Sequence, residues 1–261
     1  MQTVTIRASS LAELFDCPAR WEAKHLLGMR SPSSGAAHLG TSIHASTALF
    51  DQSRLDGSPV SADDAAGLFI DTLYDTDSEV DWEDSSPKAV ERIGLTLHTR
   101  YCFDIAPQQD YVGVEVPCER LEISDLGLAL TGTTDRIRRV DGALGITDIK
   151  TGGRAVDADG RAVTQGHRPQ LGVYELLAEF ATGQPLTAPA EIVGLQTGRV
   201  QRVGRGEVTG ARAALIGDEY EPGLLHHASQ IIHSGSFYGN AKSVLCSARY
   251  CPRHPTCRFK D

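Results

Sequence analysis

Asp135, Asp148 and Lys150 are the residues whose types and spacing can do chemistry. They stand in the stretch Gly-Thr-Thr-Asp-Arg-Ile-Arg-Arg-Val-Asp-Gly-Ala-Leu-Gly-Ile-Thr-Asp-Ile-Lys-Thr-Gly from Gly132 to Gly152, which predicts two consecutive strands. Strand side chains alternate faces, so Asp148 and Lys150 point one way and Ile149 the other. Asp141-Gly142 predicts a tight hairpin turn that folds Asp135 back beside them. Two carboxylates and an ammonium on one face can hold a hard divalent cation and orient a water, which suits phosphodiester hydrolysis. Mg²⁺ or Mn²⁺ is the expected ion, with the Ile149 carbonyl as a further oxygen ligand. Lys150 would position the water or stabilise charge developing on the phosphate. His44, early on a predicted helix, offers a nitrogen ligand and favours Mn²⁺. Gln170 and Tyr174, four apart on one helix face, could reach a phosphate or the lysine. Singly, each has an ordinary reading: an exposed Asp-x-Lys edge, a satisfied histidine, a packed tyrosine. Their conjunction carries the weight.

The elements that must position these residues read as an α/β (α+β) chain. Ser9-Ser10-Leu11 opens a helix that Cys17-Pro18 interrupts and that resumes from Ala19 to Leu27. A Ser-Pro-Ser-Ser-Gly linker leads to a second helix from Gly40 to about Phe50, and a third is predicted from Pro87 to Phe103. From Tyr111 the period shifts to two: Val112, Val114 and Val116 alternate, as do Leu128 and Leu130. Arg154 to His167 reads as a loop. A helix follows from Pro169 to Phe180, a strand from Ile192 and a helix from Leu224 to Ile232. The expectation is a central mixed sheet flanked by helices in one domain, 1–261.

The net charge of −9 is local. Residues 51–84 carry eleven acids against Arg54 alone, so the other 227 residues sum to +1. This stretch reads as an acidic helical insertion with a solvated face, lying away from any phosphate track. Charge therefore does not exclude a nucleic-acid partner. Arginines fall in groups at 136, 138 and 139, at 154, 161 and 168, and at 199, 202 and 205; Arg154 and Arg168 bracket the site strand and helix and are the first choice for phosphate contacts. Trp21 and Trp82 suit core packing better than base stacking. No apolar run reaches transmembrane length and no signal peptide is evident, so a cytoplasmic protein is expected, with no membrane partner. No nucleotide-binding motor motif is present, so any motor comes from another chain.

Six cysteines in such a compartment argue for metal or catalysis before disulfides. Cys246, Cys251 and Cys257 cluster near one end and Cys17 stands near the other. Four thiolates suit a [4Fe–4S] cluster or a structural zinc, and His254 could replace one of them at zinc. Such a site would join 1–30 to 235–261. Cys102 and Cys118, in apolar surroundings, read as buried free thiols.

In order, Gly40-x-x-x-His44, Asp135, Asp148-Ile149-Lys150-Thr-Gly152 and Gln170-x-x-x-Tyr174 resemble the RecB-like PD-(D/E)xK nucleases over most of the chain. The resemblance implies a restriction-endonuclease-like core, metal ligands at His44, Asp135 and Asp148, and a catalytic Lys150. Glu115 matches a carboxylate often found on the preceding strand. The cysteines resemble the iron–sulfur branch, the AddB-type domain and the fourth CRISPR-associated (Cas) exonuclease family, which implies [4Fe–4S] at Cys17, Cys246, Cys251 and Cys257. The implied function is a metal-dependent DNA exonuclease on single-stranded ends, in recombination, repair or CRISPR spacer acquisition, with a helicase, recombination or adaptation partner. A non-catalytic DNA-binding or partner subunit with an architectural cluster is the alternative. A zinc-stapled hydrolase of another substrate is the third.

Overall fold

In a computed structural model, residues 2–75, 79–82 and 85–261 are described. In chain order the elements are β1 (Val4–Arg7), α1 (Leu11–Asp16), α2 (Pro18–His25), β2 (Ser33–Ser34), α3 (Gly35–Leu55), α4 (Ala62–Leu73), β3 (Val80–Asp81), α5 (Pro87–Arg100), β4 (Tyr111–Ile123), β5 (Leu128–Val140), β6 (Ala143–Gly152), α6 (Arg168–Thr182), β7 (Ala190–Gln196), β8 (Arg202–Val208), α7 (Ala211–Ile216) and α8 (Leu224–Ser234). All but β2 and β3, which pair with each other, join one six-stranded mixed sheet.

The register makes a fork at its centre. Arg136 on β5 faces Val114 of β4 on one edge and Thr147 of β6 on the other. Leu130 faces Leu121 of β4 on that first edge and Ile6 of β1 on the second. β1 and β6 therefore share one edge of β5, at different heights, and residues 132–135 span the gap between them. Parallel pairing of β6 with β7 and antiparallel pairing of β7 with β8 complete the sheet.

Alternation along these strands builds two cores. Leu130, Ile137 and Ile146 pack with Trp21, Leu171 and Leu177 on one face. Ile149, Val193 and Leu195 pack with Ile43, Phe69 and Leu97 on the other. The sheet is thus sandwiched between α1, α2, α6, α7 and α8 and the α3–α5 layer. Among the described residues no helix is long and apolar enough to cross a membrane.

Several expectations change. The second helix begins at Gly35, not Gly40, because the Ser34 hydroxyl accepts from the Ala37 N–H and caps it. The strand β8 and the helix α7 were not anticipated. Asp51 does not belong to a solvated acidic face: it is 3% exposed and pairs with Arg136 at 2.8 Å. Asp77, Glu83 and Asp84 lie outside the described residues. Arg136 and Arg138 are 0% and 2% exposed and face Asp51 and Glu191, so neither is a surface phosphate contact. Arg205 likewise pairs with Glu191 at 2.6 Å. Cys102 is buried, with its thiol pushed up to about 12 by burial. Cys118 is only partly buried. Trp21 is fully buried, and Trp82 packs edge-on against His38.

Candidate active site

The β5–β6 hairpin turns through Asp141 (φ 49°) and Gly142 (φ 83°), a left-handed pair that matches strand twist. It sets Asp135 beside the Asp148-Ile149-Lys150 run, where the Asp135 Oδ2 accepts the Ile149 N–H at 2.8 Å. Asp148 is 2% exposed and its Oδ2 lies 2.6 Å from the Lys150 Nζ. Burial pushes the Asp148 carboxyl up to about 6; Lys150 opposes the shift and Asp135 adds to it. The ammonium alongside favours the ionised carboxylate that a metal ion needs.

His44 arrives from the other layer. A Cβ at Gly40 would meet the Thr151 hydroxyl at 2.8 Å, so the missing side chain lets α3 lie close to β6. One turn later the His44 Nε2 stands 3.0 Å from the Ile149 carbonyl oxygen. A carbonyl only accepts, so Nε2 donates to it, and Nδ1 faces the Asp135 Oδ2 at 3.6 Å. Glu115, with φ 45°, turns its carboxylate into the same space. Ligand atoms of His44, Glu115 and Asp135 all lie within 4.8 Å of one another. This donor set, one imidazole and two carboxylates, fits a divalent cation. Burial and then Asp135 raise the Glu115 carboxyl above its usual range, and the Arg136 guanidinium 3.3 Å away opposes that shift.

From α6 the Gln170 amide donates to Asp148 Oδ1 at 3.4 Å and to the Tyr174 hydroxyl at 3.2 Å. Tyr174 itself packs against Gly132. Arg154 and Arg168 are exposed beyond β6 and at the start of α6. His167, which the sequence did not single out, has its ring pushed down to about 4 by burial and by Lys150. Arg136 was also missed as a member of this region. It donates to the Asp135 carbonyl at 2.7 Å and to Thr47 at 3.3 Å.

In a separate cavity, Cys17 from near one end of the chain and Cys246, Cys251 and Cys257 from near the other, all free thiols, lie with His254. The chain ends meet there. Ala19 N–H donates to the Tyr238 carbonyl at 2.9 Å, Ser243 bonds Asp16 at 2.6 Å, Arg253 pairs with Glu22, and Trp21 stacks on Phe237.

The family model of the PD-(D/E)XK nuclease superfamily matches residues 5–258. A search of curated proteins finds no match. Among solved structures, a candidate exonuclease from Eubacterium rectale aligns at TM-score 0.58 and 15% identity, over 93% of this chain and 86% of that one. At that identity the likeness is one of fold. The structure of SSO0001 aligns at TM-score 0.44 and 13% identity, over 100% of this chain and 89% of that one, too loosely to bear on it. With the Asp135 and Asp148-Ile149-Lys150 hairpin inside a match that runs nearly end to end, the chain belongs to the PD-(D/E)XK nuclease superfamily.

Proposed function

We propose that this nuclease is a Mg²⁺- or Mn²⁺-dependent DNA exonuclease that works on single-stranded ends in recombination, repair or CRISPR spacer acquisition. The observation that carries the reading is the convergence of His44, Glu115 and Asp135 within 4.8 Å, beside the Asp148–Lys150 pair. His44, Asp135, Asp148 and the Ile149 carbonyl would hold the metal, with Glu115 as a further ligand. When bound, the cation polarises the scissile phosphate and acidifies the attacking water. Lys150 orients that water or stabilises charge on the phosphate. The Ile149 N–H fixes the Asp135 carboxylate, and Gln170, braced on Tyr174, fixes Asp148. Arg154 and Arg168 are proposed phosphate contacts. A helicase, recombination or adaptation protein is the proposed partner, and the cytoplasm the proposed compartment.

Purified protein with Mn²⁺ or Mg²⁺ should release label from one end of a linear single-stranded oligonucleotide, and EDTA should stop it. Cutting of circular single strands would replace the exonuclease assignment with an endonuclease one. No cleavage of any DNA would overturn the function.

The chain is proposed to form one domain, with 1–30 and 235–261 stapled by a [4Fe–4S] cluster on Cys17, Cys246, Cys251 and Cys257, and with 51–84 as an acidic helical insertion. Three observations support the cluster. The four thiols share a cavity, and the Cys246 thiol is raised by burial and then by the other three. The Asn240 N–H points at the Cys17 Sγ at 3.4 Å, the kind of bond that tunes a cluster sulfur.

Protein purified without oxygen should be brown, and Cys251→Ser should be colourless and melt several degrees lower, because the staple closes a loop of almost the whole chain. A colourless wild type holding one zinc per chain would replace iron–sulfur with zinc.

A further inference from the structure

The fork between β1 and β6 opens into a cleft of about 480 Å³. Glu115 and Asp135 line one part of it; Arg7, Ser9, Thr131 and Thr133 line another. Arg7 ends β1 and sits directly across from Thr131 in the register. It is exposed, and its guanidinium makes no hydrogen bond or ion pair with another described residue. The contrast with Arg20, Arg136 and Arg205 is informative, since each of those is tied to a carboxylate. The hydroxyls of Ser9, Thr131 and Thr133 likewise have no hydrogen-bond partner among the described residues. One uncommitted fork of donors and three uncommitted hydroxyls therefore line the cleft that holds the metal-site carboxylates.

Guanidinium plus hydroxyls is the donor set that recognises a phosphodiester. The carboxylate end of the cleft repels an anion unless a cation sits there, whereas the Arg7 end attracts one. Along β5, Thr131 and Asp135 are four residues, or about 13 Å, apart. We propose that Arg7, with Ser9, Thr131 and Thr133, forms a subsite for a phosphodiester flanking the one that is cut. The subsite rests on the nuclease reading above. It places the DNA strand over the β1–β6 fork in addition to the Arg154 and Arg168 side.

The test is fluorescence anisotropy of a labelled single-stranded oligonucleotide with Ca²⁺ in place of Mn²⁺, alongside single-turnover cleavage with Mn²⁺. Arg7→Ala should raise Kd about five- to tenfold and flatten the log Kd against log salt slope by about 0.7, one phosphate contact on a single strand. Its melting temperature, and its cleavage rate at saturating DNA, should match the wild type. Arg7→Lys should recover part of the affinity, since it keeps the charge but not the planar fork. A scan of neutral methylphosphonate linkages should then find one position that weakens wild-type binding and leaves Arg7→Ala unaffected. An unchanged Kd and salt slope in Arg7→Ala, with a wild type that cleaves, overturns the subsite alone. The same holds if every methylphosphonate penalty persists in the variant. A wild type that neither binds nor cleaves DNA overturns the nuclease reading and the subsite with it.

Discussion

Lys150→Ala should lower single-turnover cleavage at saturating Mn²⁺ and DNA by about 10²- to 10³-fold, the usual cost of losing one donor aimed at developing charge. The fold should survive, because the Lys150 side chain is about a quarter exposed and pairs with the Asp148 carboxylate. The change has a second consequence. Asp148 is already pushed up to about 6 by burial, and Lys150 is foremost among the groups opposing that shift. Without the ammonium the carboxyl should hold its proton to higher pH, so the residual rate should rise with pH over a range where the wild-type rate is flat. Lys150→Arg keeps the charge and should keep Asp148 ionised while misplacing the donor. A rate within tenfold of wild type in Lys150→Ala would remove the lysine from the chemistry. Asp148→Asn should lose at least as much activity, together with Mn²⁺ affinity measured by calorimetry.

The hairpin was legible because its signals are local. The facing rule of a strand and an Asp-Gly turn specify the turn and the facing direction of Asp148 and Lys150 within 21 residues. His44 was legible because Gly40-x-x-x-His44 resembles the family pattern, although the reason for the glycine is the Thr151 hydroxyl on a strand far along the chain. Glu115 was harder. Its carboxylate reaches His44 and Asp135 from a residue with φ 45°, and nothing in Val-Glu-Val-Pro announces that conformation. The strand β8 was hidden for a different reason. Val-Gly-Arg-Gly-Glu-Val has two glycines where a side chain would be expected, because the 155–162 loop lies across them: a Cβ at Gly204 would meet the Gly160 carbonyl at 2.4 Å.

Arg136 and Arg138 show where sequence reasoning goes wrong. Arginines flanking Ile137 at period two share a face, and that much was readable. On a central strand both faces are covered, so the two cations are buried and need acids brought from other elements. Those acids are Asp51 on α3 and Glu191 on β7, 85 and 53 positions away. No local pattern encodes that pairing.

Arg136 also carries the second large effect. Its Nε donates to the Asp51 Oδ2 at 2.8 Å, and the Tyr101 hydroxyl donates to that same oxygen at 2.5 Å. Its other donors reach Thr47, the Asp135 carbonyl and the Glu115 carboxylate. Burial already raises the Asp51 carboxyl, with Arg136 foremost among the groups opposing it. Arg136→Met therefore strands an acid in a nearly dry interior and should cost about 3–5 kcal/mol in urea unfolding. The double variant Arg136→Met with Asp51→Asn should be more stable than the sum of the two single losses by at least about 1 kcal/mol, since neither charge is then left alone. Glu115 loses the guanidinium it pairs with at the same time, while the Asp135 carboxyl still faces it. Its carboxyl should then ionise less readily, and Mn²⁺ affinity should fall in the double variant even where stability is regained. A single variant costing less than about 1 kcal/mol would mean that the pair is better solvated than its burial implies. Regained stability with unchanged Mn²⁺ affinity would confine Arg136 to holding the sheet against α3.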